Sequence, residues 1–365
     1  MSAKMSNGEF KNDVAMRGKG VYGANSGQQH SAMLSALPLI TKSVADSWGK
    51  RPYTDRPFTI AEYGCSDGKN SVEPIAAALR GTADAKHVQL FLSDQPSNDF
   101  AATSKNVQKI EEDGEKDGIS IFTAMVPRSF YKQVLAPNSA DMGFSLMSIH
   151  YVDKMPPLRE GEFPFDTSRK ETRRQTWEKD FCSFLRLRSS ELVDGSSLVL
   201  SQLSEPPEGG DNFAVVGQAL GAGAQDMIKD NLLSHDLFKH FELPTWYPEP
   251  ERMRELVASV GGWAVKDLFQ QEIEHPASVE LKKRRAEKED PEDLEWYAGK
   301  VIDWLAAVVS GYFLKTVAIT TGDMNEEQRE KLLQEWISRS KKRFLADSKD
   351  AKVTSWLVFA RLQKC

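Results

Sequence analysis

The chain has 365 residues, 40% of them hydrophobic, and carries a formal net charge of −6 with an isoelectric point near 5.7. A chain of this length can bury a sizeable core, as one domain with a large insertion or as two domains. The acidic balance gives no support to nucleic-acid binding, because the strong basic run 282–285 is followed at once by acidic residues.

The cysteines and the N-terminus predict where the protein works. Cys65, Cys182 and Cys365 are scattered and form no Cys-x-x-Cys pair, which is typical of a reducing compartment. The first residues are polar and lack the apolar core of a signal peptide. No apolar run is long enough to span a bilayer. We therefore expect a cytoplasmic protein without a membrane segment.

The first predicted element after a polar segment, 1–20, is a long helix that begins near Val21. Its apolar positions recur at helical spacing: Met33, Leu37, Ile40, Val44 and Trp48. Asn25 and Ser26 precede the main part of this helix and, from local chemistry alone, are best interpreted as capping residues.

A buried strand followed by a glycine turn comes next, over residues 58–70. The strand ends with the acid Glu62, and Gly64 and Gly68 then allow the backbone to turn tightly and to approach a ligand closely. The next strand, 88–93, is followed by Asp94, whose carboxylate could accept hydrogen bonds from ribose hydroxyls. Taken alone, the pattern fits an α/β turn without a ligand equally well.

The remaining pattern predicts strands that alternate with helices. Further strands are predicted at 119–125, 141–148, 197–203, 263–269 and 354–362. Helices are predicted at 71–79, up to 112, and at 177–193, 252–260, 292–313 and 325–344, whereas 156–176 has no clear periodicity. Alternation of this kind implies a mostly parallel sheet that is covered on both faces.

The predicted domain organisation follows from these elements. A flexible N-terminus, 1–20, precedes an α/β core at 21–155, and a connection with a helix occupies 156–195. Core strands at 196–275 contain a cap insertion near 205–245, a helical cap occupies 276–350, and the last core strand lies at 351–365. Insertions that leave from the carboxyl ends of strands would cover a ligand crevice.

Several segments together resemble the SABATH family of S-adenosylmethionine-dependent carboxyl methyltransferases, which act on salicylate, benzoate, jasmonate and, in one branch, xanthines. The matching motifs are Tyr22-x-x-Asn25-Ser26-x-x-Gln29, Gly64-Cys65-Ser66-x-Gly68-x-Asn70, Asp94-x-Pro96-x-Asn98-Asp99-Phe100, Val126-Pro127-x-Ser129-Phe130-Tyr131, Ser148-x-His150 and Asp180-Phe181-x-x-Phe184-Leu185-x-x-Arg188-Ser189. The resemblance implies a seven-stranded, Rossmann-like methyltransferase sheet with a helical cap.

The resemblance also implies site residues. S-adenosyl-L-methionine contacts of the family fall on Ser26, Glu62, Gly64, Asn70, Asp94, Gln95, Ser129 and Phe130. The acceptor's carboxylate would be held by Gln29 and Tyr151, where the family has a glutamine and a tryptophan. Glu62 replaces an aspartate, Gln95 a leucine and Met147 a pocket tyrosine, so this chain is a divergent member.

The expected reaction is O-methylation of a small carboxylic acid, and three alternatives stay open. His150, at the end of the fourth strand, could orient or deprotonate a nitrogen heterocycle, which would give N-methylation. Replacement of pocket residues could instead leave a non-catalytic cofactor-binding relative, and an interaction module without a cofactor is the third alternative. Tyr22, Met147, His150 and Trp246 are further candidates for contact with the acceptor. We expect no metal ion, and the resemblance implies a homodimer.

Overall fold

The computed structural model describes residues 10–11, 14, 20–48, 56–82, 85–288, 290–322 and 324–365. The predicted N-terminal segment 1–20 therefore lies almost wholly outside the described residues. Phe10–Lys11 pairs with Lys154–Met155 in a separate two-stranded antiparallel sheet.

The main sheet has seven strands. They are β1 (Phe58–Tyr63), β2 (His87–Asp94), β3 (Ser120–Pro127), β4 (Ala140–Leu146), β5 (Leu192–Leu203), β6 (Trp263–Glu274) and β7 (Thr354–Lys364). Their order is β3-β2-β1-β4-β5-β7-β6, and β7 runs antiparallel to both of its neighbours while the other pairs are parallel. The predicted seven-stranded, mostly parallel α/β sheet is confirmed.

Helices surround this sheet. They are α1 (Val21–Asn25), α2 (Gly27–Trp48), α3 (Val72–Arg80), α4 (Phe100–Lys116), α5 (Thr167–Glu191), α6 (Ala214–Lys229), α7 (Leu237–His240), α8 (Pro250–Val260), α9 (Pro276–Glu287), α10 (Glu292–Thr321) and α11 (Glu326–Ser348).

The two faces of the sheet are covered by different helices. Residues of α2, α3 and α4 form one apolar cluster with the sheet, and residues of α5 and α8 form another on its opposite face. Every residue of β1 is buried, as expected for a central parallel strand. The carboxyl ends of β1, β2, β3 and β4 consequently meet at one edge of the sheet, between the helical layers.

A third apolar cluster lies in the inserted helices. It joins residues of α6 and α7, which follow the carboxyl end of β5, to residues of α9, α10 and α11, which follow the carboxyl end of β6. The two insertions thus share one core beside the carboxyl edge of the sheet, although they are far apart in the sequence. We call this cluster of helices the cap.

Several boundary predictions are wrong. Helix α5 begins ten residues earlier than expected, at Thr167, because its first turns carry charged side chains that show no apolar periodicity. It ends at Glu191, and β5 begins directly afterwards instead of at 197. Strand β6 continues to Glu274, five residues beyond its predicted end. The additional residues are mostly polar and give no apolar strand pattern, but they pair with β7.

Helix α10 corrects the expectation that no segment could span a bilayer. By length and composition alone it could cross a membrane, although Asp303 and Lys315 interrupt its apolar runs. About three fifths (61%) of its most apolar window is buried inside the protein. The helix forms the centre of the cap, where core helices of this composition are common.

Candidate active site

A cavity opens at the carboxyl edge of the sheet, where β1, β2, β3 and β4 end. Eleven of the predicted site residues line it: Tyr22, Gln29, Glu62, Gly64, Asn70, Asp94, Gln95, Ser129, Phe130, Met147 and Tyr151. These residues come from five separate stretches of the chain. The fold therefore brings together most of the candidate cofactor residues and the candidate acceptor pair, Gln29 and Tyr151.

The glycine turn after β1 forms the floor of the cavity. Gly64 has φ +94°, and a Cβ at this position would lie 2.4 Å from Ser148 Oγ. Ser66 also takes a left-handed φ of +48°, and its backbone is held by neighbours: Asn98 Nδ2 donates to its carbonyl at 2.7 Å. Contacts of this kind stabilise a backbone conformation that a serine rarely adopts. The turn is therefore fixed by the loop after β2.

Asp94 connects the glycine turn to the end of β2. The backbone N–H of Ser66 donates to its Oδ2 at 2.7 Å, and that of Gln95 donates to its Oδ1 at 2.7 Å. Burial raises the pKa of Asp94, while these two hydrogen bonds lower it. Each oxygen retains a further lone pair for a ligand hydroxyl, because a carboxylate accepts about four hydrogen bonds.

Among the described residues that line the cavity, two have a buried acceptor atom without a hydrogen-bond partner. These atoms are Glu62 Oε2 at the end of β1 and Asn70 Oδ1 after the glycine turn. Burial raises the pKa of Glu62 to about 8; the nearby Ser71 hydroxyl lowers the pKa, and the charge of Asp94 raises it further. Unpartnered acceptors are costly when buried, so this pair calls for a ligand that donates hydrogen bonds, such as an ammonium group.

The loop after β3 closes another side of the cavity and is held from below by a buried ion pair. Arg188 donates to the carbonyl oxygen of Phe130 at 2.8 Å and to that of Lys132 at 3.0 Å. Its partner Glu191, 2.9 Å away, also accepts from the hydroxyl of Tyr63 on β1. Both charged side chains are fully buried, so the loop that carries Ser129 and Phe130 is anchored to α5 and to the sheet.

The segment after β4 is fixed by hydrogen bonds to its backbone. Trp177 Nε1 donates to the carbonyl oxygen of Ile149 at 2.7 Å, and the Tyr131 hydroxyl donates to that of Tyr151. The N–H of Trp246 donates to the carbonyl oxygen of His150 at 2.9 Å. Burial raises the pKa of the Tyr151 hydroxyl, which therefore stays protonated and able to donate near neutral pH.

The Gln29 side chain has a defined orientation. Trp304 Nε1 on α10 donates a hydrogen bond to Gln29 Oε1 at 3.0 Å. An indole N–H can only donate, so it must meet the oxygen of the amide and not its nitrogen. The two N–H groups of the Gln29 amide are therefore the part that is available to the cavity.

Three predicted site residues do not line this cavity. Ser26 is buried, and its hydroxyl donates to the carbonyl oxygen of Gly23 at 3.4 Å. The His150 ring packs behind Tyr151, with ring centroids 4.5 Å apart, and burial lowers its pKa to about 3. Trp246 lines a second cavity, next to the cap helices. A neutral, buried imidazole outside the cavity is poorly placed to act as a base.

Sequence reasoning missed several residues of the site. Asn98 and Tyr131 were part of the motifs but were not recognised as lining residues, and Trp304 and Tyr312 on α10 were not selected at all. Tyr312 lies parallel to Tyr151, with ring centroids 6.5 Å apart. The aromatic residues of α10 repeat at core spacing, so no local signal distinguishes those that reach the site.

Two simpler chemistries find no support at the site. Burial raises the pKa of the Cys65 thiol well above its usual value, which disfavours a nucleophilic thiolate. Among the residues that the structure describes, no group of three or more His, Cys, Asp and Glu side chains is placed to hold a metal ion.

The sheet order, the glycine turn and the acid that ends β2 define a Rossmann-like enzyme with a nucleotide-type cofactor site. A family profile described as SAM-dependent carboxyl methyltransferase matches residues 11–348. The chain belongs to this family, so it is a methyltransferase whose cofactor is S-adenosylmethionine. The unpartnered acceptors Glu62 Oε2 and Asn70 Oδ1 fit that cofactor, because its methionine part carries an ammonium group.

Individual relatives agree with the family. Methyltransferase LUC1 of a Fusarium species is 36% identical over 359 residues, which cover 97% of this chain and 98% of the relative. O-methyltransferase acrG of Aspergillus aculeatus is 36% identical over 366 residues, with 96% and 97% coverage. The salicylate/benzoate carboxyl methyltransferase of Arabidopsis thaliana is 24% identical over 272 residues, which cover 69% of this chain and 71% of the relative.

The fold is also that of a solved methyltransferase. Loganic acid methyltransferase with SAH superimposes with a TM-score of 0.72 at 17% identity, covering 96% of this chain and 98% of that one. The resemblance to the SABATH family and the predicted fold class are confirmed.

Proposed function

We propose that this methyltransferase esterifies a small-molecule carboxylic acid whose carboxylate is held by Gln29 and Tyr151. The observation that carries the proposal is the orientation of Gln29, since Trp304 occupies the amide oxygen and leaves the two N–H groups for the acceptor. A carboxylate only accepts hydrogen bonds, so it is a suitable partner for these two N–H groups. A heterocycle that presents its own N–H would instead require an acceptor atom at this position.

The chemistry of the reaction agrees with this assignment. S-adenosylmethionine supplies an electrophilic methyl group on a positively charged sulfur. A carboxylic acid is already ionised at neutral pH, so the protein needs no general base. Its work is to hold the carboxylate in line with the methyl group and to exclude water from it. Tyr22, Met147 and Tyr151 supply side chains for that pocket, and the buried, neutral His150 is not required as a base.

We assign the cofactor residues in the same proposal. Glu62 and Asn70 would bind the ammonium group of the methionine part, and the backbone of the Gly64 turn would approach that part closely. Asp94 would accept hydrogen bonds from the ribose hydroxyls, and Gln95 lies next to it. Ser129 and Phe130 would line the adenine side, supported by the Arg188 contacts to their loop.

The test is product analysis after a binding check. The purified protein should bind S-adenosylhomocysteine in a calorimetric titration, and a panel of carboxylic acids and nitrogen heterocycles should then be offered with isotopically labelled S-adenosylmethionine. We expect a labelled product that mild base cleaves, as it cleaves a methyl ester. A base-stable product from a heterocycle would identify an N-methyltransferase, and cofactor binding without turnover would indicate a non-catalytic relative.

Location and assembly are further parts of the proposal. A cytoplasmic protein is supported by the three cysteines, all of which are unpaired. A homodimer is suggested by the family resemblance alone. Light scattering coupled to size-exclusion chromatography would distinguish a dimer of twice the 40.9 kDa chain mass from a monomer.

A further inference from the structure

A second cavity of about 690 Å³, which we call the cap cavity, lies between the cap helices and the segments 164–173 and 243–247. Its inner walls are apolar and buried, and include Leu220, Leu305, Phe313 and Trp336. Protein cores are normally close-packed, with few voids larger than a water molecule, and cavities lower stability in proportion to their volume. A void of this size is instead typical of pockets that hold small molecules.

Helix α6 makes room for this cavity. Gly217 and Gly221 lie one turn apart and line it, and a Cβ at either position would meet no atom within 4 Å. Gly223 faces the other way, where a Cβ would lie 2.5 Å from Ser340 Oγ on α11. The same helix is thus tightly packed against α11 and open toward the cavity.

The mouth of the cavity is polar and carries both signs of charge. Lys170, Arg173, Glu205 and Asp211 all line the cavity, and Arg173 Nε has no hydrogen-bond partner among the described residues. Because both signs of charge are present, the mouth does not favour a ligand of either net charge. The chemistry that the cavity favours is therefore set by its apolar interior.

A partition of aromatic side chains separates the cap cavity from the cofactor cavity. On one side of the partition, the His150 ring lies between Tyr151, 4.5 Å away, and Tyr247, 6.3 Å away, measured between ring centroids. Tyr151 lines the cofactor cavity and Tyr247 lines the cap cavity. The backbones of Tyr151 and Thr245 also form a β-bridge, so the two cavities are neighbours.

The same partition continues to Gln29. Phe213, which lines the cap cavity, packs edge-to-face against Trp304 with ring centroids 5.5 Å apart. Trp304 in turn holds Gln29, which lines the cofactor cavity. If an acid is held by Gln29 and Tyr151, the aromatic partition lies next to it, and the cap cavity lies behind the partition.

We propose that the cap cavity binds the apolar remainder of the acceptor, so that the substrates are carboxylic acids with an extended hydrocarbon part that passes between the partition side chains. This inference rests on the proposed carboxyl methylation and adds the substrate class. Acids as small as benzoate would leave the cap cavity unused. Each methylene that enters an apolar site from water gains about 0.8 kcal/mol, which corresponds to a roughly fourfold gain in affinity.

The experiment compares straight-chain saturated acids of increasing length, each kept below its micelle concentration. We expect kcat/KM to rise by roughly fourfold for each methylene that enters the cap cavity, and then to level off when the cavity is full. Binding of the same acids to the protein loaded with S-adenosylhomocysteine, measured by calorimetry, should follow the same order. A flat or falling dependence on length would overturn the inference.

Gly221→Leu places a side chain in the cavity at a position where a Cβ would meet no atom within 4 Å, and leucine is a better helix former than glycine, so we expect the variant to fold. It should abolish the gain for long acids and leave short acids and cofactor affinity unchanged. Gly299→Leu on α10 is the matched control, since its Cβ would also meet nothing within 4 Å and it lines neither cavity. Equal effects of Gly221→Leu on short and long acids would also overturn the inference. If acids of every length become esters equally well, only this inference fails; if none is esterified, the proposed function fails with it.

Discussion

The proposed cofactor end and the proposed acceptor end of the site share one cavity but are built in different ways. The cofactor end consists of backbone turns at the ends of adjacent strands, and each turn is hydrogen-bonded to its neighbour, as Ser66 is to Asp94. The acceptor end consists of side chains from helices that are far apart in sequence, such as Gln29 on α2 and Trp304 on α10. The first arrangement depends on the sheet, and the second depends on how the cap packs.

This difference predicts how a substitution at each end acts. A change at the cofactor end disturbs a turn that several strands share, whereas a change in the cap alters the shape of a pocket and leaves the sheet intact. Departures from the family pattern occur at both ends: Glu62 and Gln95 lie at the cofactor end, and Met147 and Tyr151 lie at the acceptor end. The comparison predicts that the two ends can be impaired separately, and the following changes test this from the largest expected effect to the smallest.

Arg188→Met should have the largest effect, because it leaves Glu191 buried without its charged partner. Removal of one member of a buried ion pair typically costs about 3–5 kcal/mol. The urea midpoint should fall, and the affinity for S-adenosylhomocysteine should fall with it, since Arg188 holds the loop of Phe130. Arg252→Met is the control, because its ion pair with Glu178 is partly exposed and should contribute about 1 kcal/mol or less. Equal urea midpoints for Arg188→Met and Arg252→Met would contradict the anchoring role of Arg188.

Asp94→Ala should weaken S-adenosylhomocysteine binding by about 100-fold, since it removes the charged acceptor of the ribose hydroxyls and leaves two backbone N–H groups unpaired. Asp94→Asn, which keeps one oxygen, should have a smaller effect. Calorimetric titration measures both. An unchanged affinity of Asp94→Ala for S-adenosylhomocysteine would show that the ribose does not bind at Asp94.

Binding of the cofactor should depend on pH through Glu62. Its pKa of about 8 in the free protein means that the carboxyl is protonated at pH 7, and binding of an ammonium group favours the ionised form. S-adenosylhomocysteine binding should therefore release a proton at pH 7, and affinity should rise with pH by up to about tenfold per unit until pH 8. Titrations in buffers of different ionisation enthalpy measure the proton release. Glu62→Gln should remove the pH dependence of the affinity. If the pH dependence persists in this variant, the released proton comes from another group.

Trp304→Phe should have the smallest effect, since it removes one hydrogen bond and frees the Gln29 amide to rotate. We expect kcat/KM for a carboxylic acid to fall about 2- to 10-fold with unchanged cofactor affinity. Because the rotated amide can present its oxygen, the preference for an acid over its primary-amide analogue should also decrease. Trp263→Phe, which loses an indole bond to the Leu185 carbonyl away from both cavities, should leave that preference unchanged. An unaltered preference in Trp304→Phe would argue for a merely structural role.

The sequence predicts the cofactor end well because its signals are contiguous. A strand, a glycine turn and an acid after the next strand are local patterns, and the sheet brings them together. The acceptor end is predicted less well. Trp246 lines the cap cavity and not the cavity of Gln29, and Trp304 has the same local pattern as any other tryptophan of an apolar helix. Its role appears only when α10 packs beside α2, a contact that no local pattern encodes.

In the proposed site, the oriented amide of Gln29 binds the acceptor's carboxylate without taking part in cofactor binding. The most direct test titrates a carboxylic acid substrate into the wild type and into Gln29→Glu, each saturated with S-adenosylhomocysteine. The variant keeps the size of the side chain and an oxygen for Trp304, but replaces the N–H donors with a second oxygen that repels a carboxylate. We predict unchanged affinity for S-adenosylhomocysteine and a loss of about 10- to 100-fold in affinity for the acid. Equal affinity of both proteins for the acid would contradict the claim.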